Sequence, residues 1–336
     1  MDSITKNRQS IPALRAMVAR AYGDDRVPDG ESWVRELGHG WFNVAYRIRL
    51  RDGRDVVLKI APPADVEVMS FERGAMANEL TAIALIREHT SVPVPPVDFA
   101  DRTRQLCDAD YFFMPYIDAD NLGIIKENLA APELAAYHEA LGAANRELNS
   151  IRGKAFGPLA GPGEASWRTA FTGIVESVLR DGERRSVELG RGYDEVRTLL
   201  VEHAECLDEV VEPRLVAWDL YDDNVMVRNG SIVAIIDHER AFYGDPLMEG
   251  CLNALVLPAV FGDPTAFLRG YRREPLTGTE LTRRRLYTLH LMLVLVIKTA
   301  YREYPDTRRY DWARRQLTEI MALFGRRQAV EPPSRT

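Results

Sequence analysis

Leu215-Val216-Ala217-Trp218-Asp219-Leu220-Tyr221-Asp222-Asp223-Asn224-Val225-Met226-Val227 passes from apolar to polar and back to apolar. Two strand-like pieces therefore flank a loop crowded with oxygen-bearing side chains. Asn229-Gly230 then turns the chain, residues 232–236 form the next strand, and Asp237 lies at its end. A hairpin of this shape collects Asp219, Asn224 and Asp237 at one mouth. Carboxylate and amide oxygens suit Mg²⁺, which keeps several waters and takes further ligands from phosphates.

N-terminal to this stretch the periodicity is different. Residues 11–22 read as a helix. Val44, Tyr46, Ile48 and Leu50 alternate, Asp52-Gly53 makes a turn, and Val56, Val57, Leu58 and Ile60 follow, giving a hairpin with a further strand before it. Leu37-Gly38-His39-Gly40-Trp41-Phe42-Asn43 lies between two strands. A dinucleotide-binding turn would lead into a helix instead. Glycines there let backbone approach a phosphate closely. Lys59 sits within an apolar strand, and Glu79 lies against the apolar stripe of a helix read at 72–88. Neither charge is cheap to bury alone, so the two are expected to pair. Short strands are expected near 97–100 and 111–114. Beyond Pro132 the chain reads as helices at 133–149, 167–180, 193–205, 246–257, 279–304 and 311–324, with a frayed tail after Arg326.

The Asp-x-x-x-x-Asn loop, its apolar strand and Ile236-Asp237-His238-Glu239 together resemble the aminoglycoside phosphotransferase family, which groups with choline kinases and fructosamine kinases in the protein-kinase-like fold. Gly244-Asp245-Pro246 is similar to that family's Gly-Asp-Pro segment. The resemblance implies an α+β bilobal fold: a small antiparallel-β N-lobe with one main helix at 1–115, binding nucleotide, and a larger helical C-lobe at 116–336, carrying the catalytic loop and acceptor helices. It implies Asp219 as the base and Asn224 and Asp237 as Mg²⁺ ligands. It also implies Gly38, Gly40 and Asn43 as the phosphate loop, Lys59 with Glu79 as the phosphate-aligning pair, and Met114, Pro115 and Ile117 at a hinge whose backbone meets the purine. One departure is Ala217, where the family usually places a histidine thought to brace the loop.

The implied activity is transfer of the γ-phosphoryl of ATP or GTP to a hydroxyl of a small molecule such as an antibiotic, nucleoside-like or otherwise not polycationic. A metabolite kinase of choline, homoserine or sugar type is the alternative, and a non-catalytic nucleotide-binding module is the rival from another class. Asp222, Asp223 and Glu239 are the candidate acceptor-binding carboxylates. Against a polycation stands the stretch 269–315, with eleven Arg and one Lys against five acids in a chain of net charge −7. These basic residues are read as solvated helix faces, so no nucleic-acid partner is expected.

Other classes find no support. There is no Walker-type Gly-x-x-x-x-Gly-Lys-Ser/Thr, no Gly-x-Ser-x-Gly elbow, and His138-Glu139 lacks the second histidine of a zincin. Cys107, Cys206 and Cys251 are far apart, which argues against disulfides and zinc and for a reducing cytoplasmic setting. The longest apolar run, 291–297, is far short of a bilayer span and reads as the middle of a buried helix, so no membrane role is expected. A monomer or homodimer is expected.

Overall fold

The structure, a computed structural model, describes residues 3–30, 32–38, 40, 42–304 and 306–325. His39, Trp41 and the tail after Arg326 therefore lie outside the described residues. Helix α1 (Ile11–Tyr22) opens on Ser10, whose side chain accepts from the Ala13 amide. An antiparallel sheet follows, ordered β1-β2-β3-β5-β4: β1 (Val34–Glu36), β2 (Val44–Arg49), β3 (Asp55–Ile60), β4 (Phe99–Asp101) and β5 (Tyr111–Pro115). Strand parity divides β3. Val56, Leu58 and Ile60 enter a core with Leu14, Met17, Val44 and Ile48, and so Val57 and Lys59 point from the opposite face.

Helix α2 (Ala75–His89) begins three residues later than the sequence reading placed it. Gly74 stands before it with φ +74, a left-handed position, and Ser70–Glu72 makes a separate 3₁₀ turn. Ala82, Ile83 and Ile86 of α2 belong to the larger core, shared with Leu141, Phe171 and Leu293, rather than to the core under the sheet. Residues 61–74, which join β3 to α2, are fastened to that larger part as well. Ser70 donates its amide and hydroxyl to Asp181 at 2.7 Å each, Glu67 pairs with Arg184 at 3.0 Å and Arg185 at 3.3 Å, and Glu72 pairs with buried Arg302.

The remainder is mainly helical: α3 (Leu122–Ile125), α4 (Ala131–Leu148), α5 (Trp167–Arg184), α6 (Tyr193–His203), α7 (Pro258–Phe261), α8 (Thr265–Tyr271), α9 (Gly278–Ile297), α10 (Thr299–Arg302) and α11 (Arg308–Gly325). Two three-stranded sheets interrupt it, β10-β9-β6 and β7-β11-β8, built from β6 (Asp120–Asn121), β7 (Gly157–Pro158), β8 (Arg214–Val216), β9 (Val225–Arg228), β10 (Ser231–Ile235) and β11 (Phe242–Gly244). Helices α4 and α8 cross closely because Gly142 and Gly270 carry no side chain. A Cβ on Gly270 would stand 1.8 Å from the Glu139 carbonyl oxygen.

Two expected helices are corrected. Residues 246–257 form 3₁₀ turns at Pro246–Met248 and Gly250–Leu255, split where Glu249 turns extended with ψ 141. Residues 279–304 break after Ile297, where the Thr299 hydroxyl takes the Val296 carbonyl at 2.6 Å. The basic stretch is also not uniformly solvated. Arg283, Arg284 and Arg302 are buried, with Arg283 on Asp245 at 3.0 Å and Arg284 on Asn253 at 2.6 Å. No helix among the described residues is long and apolar enough to cross a membrane. The α+β, two-lobed architecture is the one implied by the family that the 215–239 stretch resembles.

Candidate active site

Strand β3 delivers Lys59 into a nest of acids. Its ammonium lies 2.7 Å from Glu79 Oε2 on α2, 2.6 Å from Asp237 Oδ1 after β10, and 3.6 Å from Glu239 Oε2. Burial alone would favour the neutral amine, but Asp237, Glu79 and Glu239 outweigh it and hold Lys59 well above its usual range. Burial pushes Glu79 up against the pull of Lys59, whereas Asp237 overcomes its burial through Lys59 and is held low. Glu239 is pushed up to about 8 by burial and then by the Asp237 charge. Oxygens of Glu79, Asp237 and Glu239 lie within 4.8 Å of one another. Glu239, expected beside the acceptor with Asp222 and Asp223, thus stands in the Lys59 cluster, where Asn43 Nδ2 donates to it at 2.5 Å. Asn43 ties the glycine-rich turn to the far lobe by that contact. Gly40 is closely overlaid, since a Cβ there would meet both the Asn43 carbonyl and Lys6 Nζ at 3.4 Å, whereas Gly38 faces open space.

The loop between β8 and β9 presents Asp219. Trp218 before it has φ +63, and Asp237 across from it has φ +66, both left-handed and costly for residues with side chains. Asn224 Nδ2 donates to the Asp219 carbonyl at 2.8 Å, and the Ile236 amide donates to the Asn224 carbonyl at 2.9 Å. Asn224 and Asp237 are thereby neighbours, one supplying an amide and the other a carboxylate. Burial raises the Asp219 pKa, opposed by Arg240, whose Nη1 lies 3.9 Å from Oδ2. The Arg240 guanidinium is flanked by the rings of Trp218 at 5.2 Å and Phe71 at 5.5 Å. Lys298, at the end of α9, feels the same carboxylate, and burial and then Arg240 push it down to about 8.

Bracing of this loop comes from Glu249. Fully buried, its carboxylate accepts from the amides of Ala217 at 3.1 Å, Leu220 at 3.3 Å and Gly250 at 2.9 Å. The rigidity put in question by Ala217 is thus supplied from 32 residues downstream. Sequence reasoning missed Glu249 and Arg240. The signal was present, since Glu249 follows the Gly244-Asp245-Pro246 segment by three residues and Arg240 follows Asp237 by three.

At the end of β5, where the hinge was expected, the Tyr116 amide donates to the Asp55 carbonyl at 3.1 Å, and Met114 is opposite Val57. Antiparallel alternation therefore turns the Met114 and Tyr116 backbones toward β3 and leaves the Pro115 carbonyl and Ile117 amide facing away. Asp222 and Asp223 lie on the other side of Asp219 and border a cavity of about 240 Å³ with His138, Tyr221, Phe261 and Phe267. Asp222 is already engaged by His138 Nε2 at 3.0 Å and Lys126 Nζ at 3.2 Å. Burial would raise its pKa, but those two contacts hold it low.

Comparison with known proteins gives the family and the fold. The sequence pattern of the phosphotransferase enzyme family matches residues 33–287. A subtelomeric hrmA-associated cluster protein of Aspergillus fumigatus is 22% identical over 177 residues, 50% of this chain and 33% of that protein, so the chain matches about a third of the length of this curated relative. Among solved structures, a thermostable mutant of aminoglycoside phosphotransferase APH(4)-Ia, in complex with AMP-PNP and hygromycin B, has a TM-score of 0.67 at 19% identity, covering 93% of this chain and 99% of that one. A candidate fructosamine-3-kinase of Thermobifida fusca has a TM-score of 0.63 at 20% identity, covering 93% of this chain and 100% of the other. With the family pattern spanning most of its length and a protein-kinase-like fold built around Lys59 and Asp219, this chain belongs to the phosphotransferase enzyme family.

Proposed function

We propose that the protein transfers the γ-phosphoryl group of a purine nucleoside triphosphate to a hydroxyl of a small molecule. The observation that carries this reading is the Lys59 cluster joined through Asp237 to the neighbourhood of Asp219, whose carboxylate feels the Asp237 charge. A cation aligned by Glu79 and Asp237 would meet the phosphates, and the half-buried Asp219 carboxylate stands where an acceptor hydroxyl would enter. Phosphoryl transfer asks mainly for positioning and charge neutralisation, which this arrangement offers. Asp219 orients the hydroxyl and takes its proton, and its raised pKa makes it the stronger base. Asn224 and Asp237 fit Mg²⁺ in donor type and adjacency, with Glu239 close enough to join them; bound there, the ion would neutralise phosphate charge. The hinge offers a free carbonyl at Pro115 and a free amide at Ile117, the complement of adenine's amino edge, which favours ATP over GTP.

For the acceptor we infer a hydroxylated antibiotic or metabolite that is not a polycation. The exposed arginines of the C-terminal helices argue mildly this way, less than the sequence alone did because Arg283, Arg284 and Arg302 are buried. The stronger support is that Asp222 is already hydrogen-bonded to His138 and paired with Lys126. Two lobes meeting near Pro115, with the acceptor held by the helical one, complete the reading. The test is acceptor-dependent ADP release across a panel of hydroxylated antibiotics and metabolites, with Asp219→Asn as the control. The variant should lose about 10²–10⁴-fold or more in turnover while keeping its ATP affinity. Near-normal turnover in Asp219→Asn would remove the base assignment, and ATP binding without turnover on any acceptor would favour a non-catalytic module.

A further inference from the structure

Lys6 is a buried ammonium without a counter-charge. The segment ahead of α1 passes beneath the glycine-rich turn, anchored where Asn7 Nδ2 donates to Asp108 at 2.9 Å and the Gln9 amide donates to the Tyr46 hydroxyl at 3.2 Å. Lys6 is only 8% exposed. Its Nζ donates to the Asn43 carbonyl at 2.6 Å and lies beside Gly40, within 3.4 Å of where a Cβ would stand. An ammonium has three N–H groups, and that neutral carbonyl takes one of them. No carboxylate among the described residues pairs with it. Glu36, the acid it feels most, is engaged by Arg8 at 2.8 Å, and Asp237 is engaged by Lys59. An unpaired buried cation is unfavourable by itself and becomes favourable once an anion with several acceptor oxygens arrives. Lys6 also lies within the electrostatic field of Lys59 and Asp237, at the place read above as the triphosphate site.

We propose that Lys6 is a second phosphate-binding cation, reaching the β- or γ-phosphate of the donor from beneath the glycine-rich turn while it holds the Asn43 carbonyl. The inference rests on the donor-site reading of the preceding subsection. It separates this chain's phosphate grip into two lysines from different elements, Lys59 from the sheet and Lys6 from the segment before α1.

The experiment is calorimetric titration of wild type, Lys6→Gln and Lys6→Arg with adenosine, ADP and ATP in the presence of Mg²⁺. Gln keeps a donor for the Asn43 carbonyl and loses the charge, whereas Arg keeps the charge. ATP affinity should fall roughly ten- to a hundredfold in Lys6→Gln, the worth of a charged hydrogen bond, with adenosine affinity unchanged. Lys6→Arg should recover most of the loss. If Lys6→Gln binds ATP as wild type does, or loses adenosine and ATP by the same factor, the lysine is structural and the proposal is overturned. Lys6→Met serves as the neutral variant if Lys6→Gln does not fold. A wild-type protein that binds no nucleotide overturns the donor-site reading itself, and this inference with it.

Discussion

Glu239 holds its proton near neutrality because burial and the neighbouring Asp237 charge leave it no room to ionise. An ordinary glutamate titrates near 4.3 in the unfolded chain. Between that value and about 8 the folded protein binds the extra proton, so the stability Glu239 contributes is full at low pH and is lost as pH rises through about 8. Glu239→Gln removes this dependence. In chemical denaturation the variant should match wild type near about pH 5 and gain on it by about pH 9. Parallel pH profiles for the two proteins would show that Glu239 is ionised throughout. The residue also shows what a linear reading misses. Lys59 and Glu79 were legible because each is a charge set in an apolar frame. Glu239 has no such frame and was grouped with Asp222 and Asp223 by charge alone. Only the left-handed turn at Asp237 carries it back under Asn43.

At the level of elements, periodicity found what was long enough to have a period. The helices α1, α4, α5, α6 and α11 and the strands β2 and β3 were placed to within a few residues. The strands β6, β7 and β11 and the helices α3, α7 and α8 run from two to seven residues, less than two turns or two pleats, and leave no pattern to read. The segment 246–257 has helical composition, yet Glu249 turns extended and gives its carboxylate to amides of the loop that carries Asp219. Glu249→Ala would strand the Ala217, Leu220 and Gly250 amides inside the protein, at about 1–3 kcal/mol each before relaxation. The expected result is a protein several kcal/mol less stable, with turnover falling further than ATP affinity, because the loop that holds Asp219 loosens while the Lys59 cluster stays. Thermal unfolding, titration and turnover on one preparation would check this. Equal losses of affinity and turnover would separate Glu249 from the loop.

On the scale of the whole molecule, the joint between the lobes is legible in sequence only at Pro115. The second crossing, residues 61–74, carries no motif, and its ties to Asp181, Arg184, Arg185 and Arg302 join residues more than a hundred positions apart. Arg302 holds Glu72 and lies 5.0 Å from the Phe42 ring of the glycine-rich turn. Arg302→Met should cost up to about 3–5 kcal/mol, since among the described residues buried Glu72 keeps only the Met69 amide at 3.1 Å and Arg240 at 3.9 Å. Adding Glu72→Gln should recover part of that loss, and simple additivity of the two changes in denaturation would show the pair is not coupled. The division of the cores has a mechanical consequence. Helix α2 is packed into the larger body, so Glu79 belongs to that body while Lys59 belongs to the sheet. Their 2.7 Å contact spans the joint. On the nucleotide-site reading proposed above, any separation of the two bodies would part these two charges and leave the lysine without the acid that aligns it. The proposed phosphate-aligning pair is therefore complete only when sheet and larger body are in register, which makes the way the chain is tied a candidate safeguard against idle loss of phosphate.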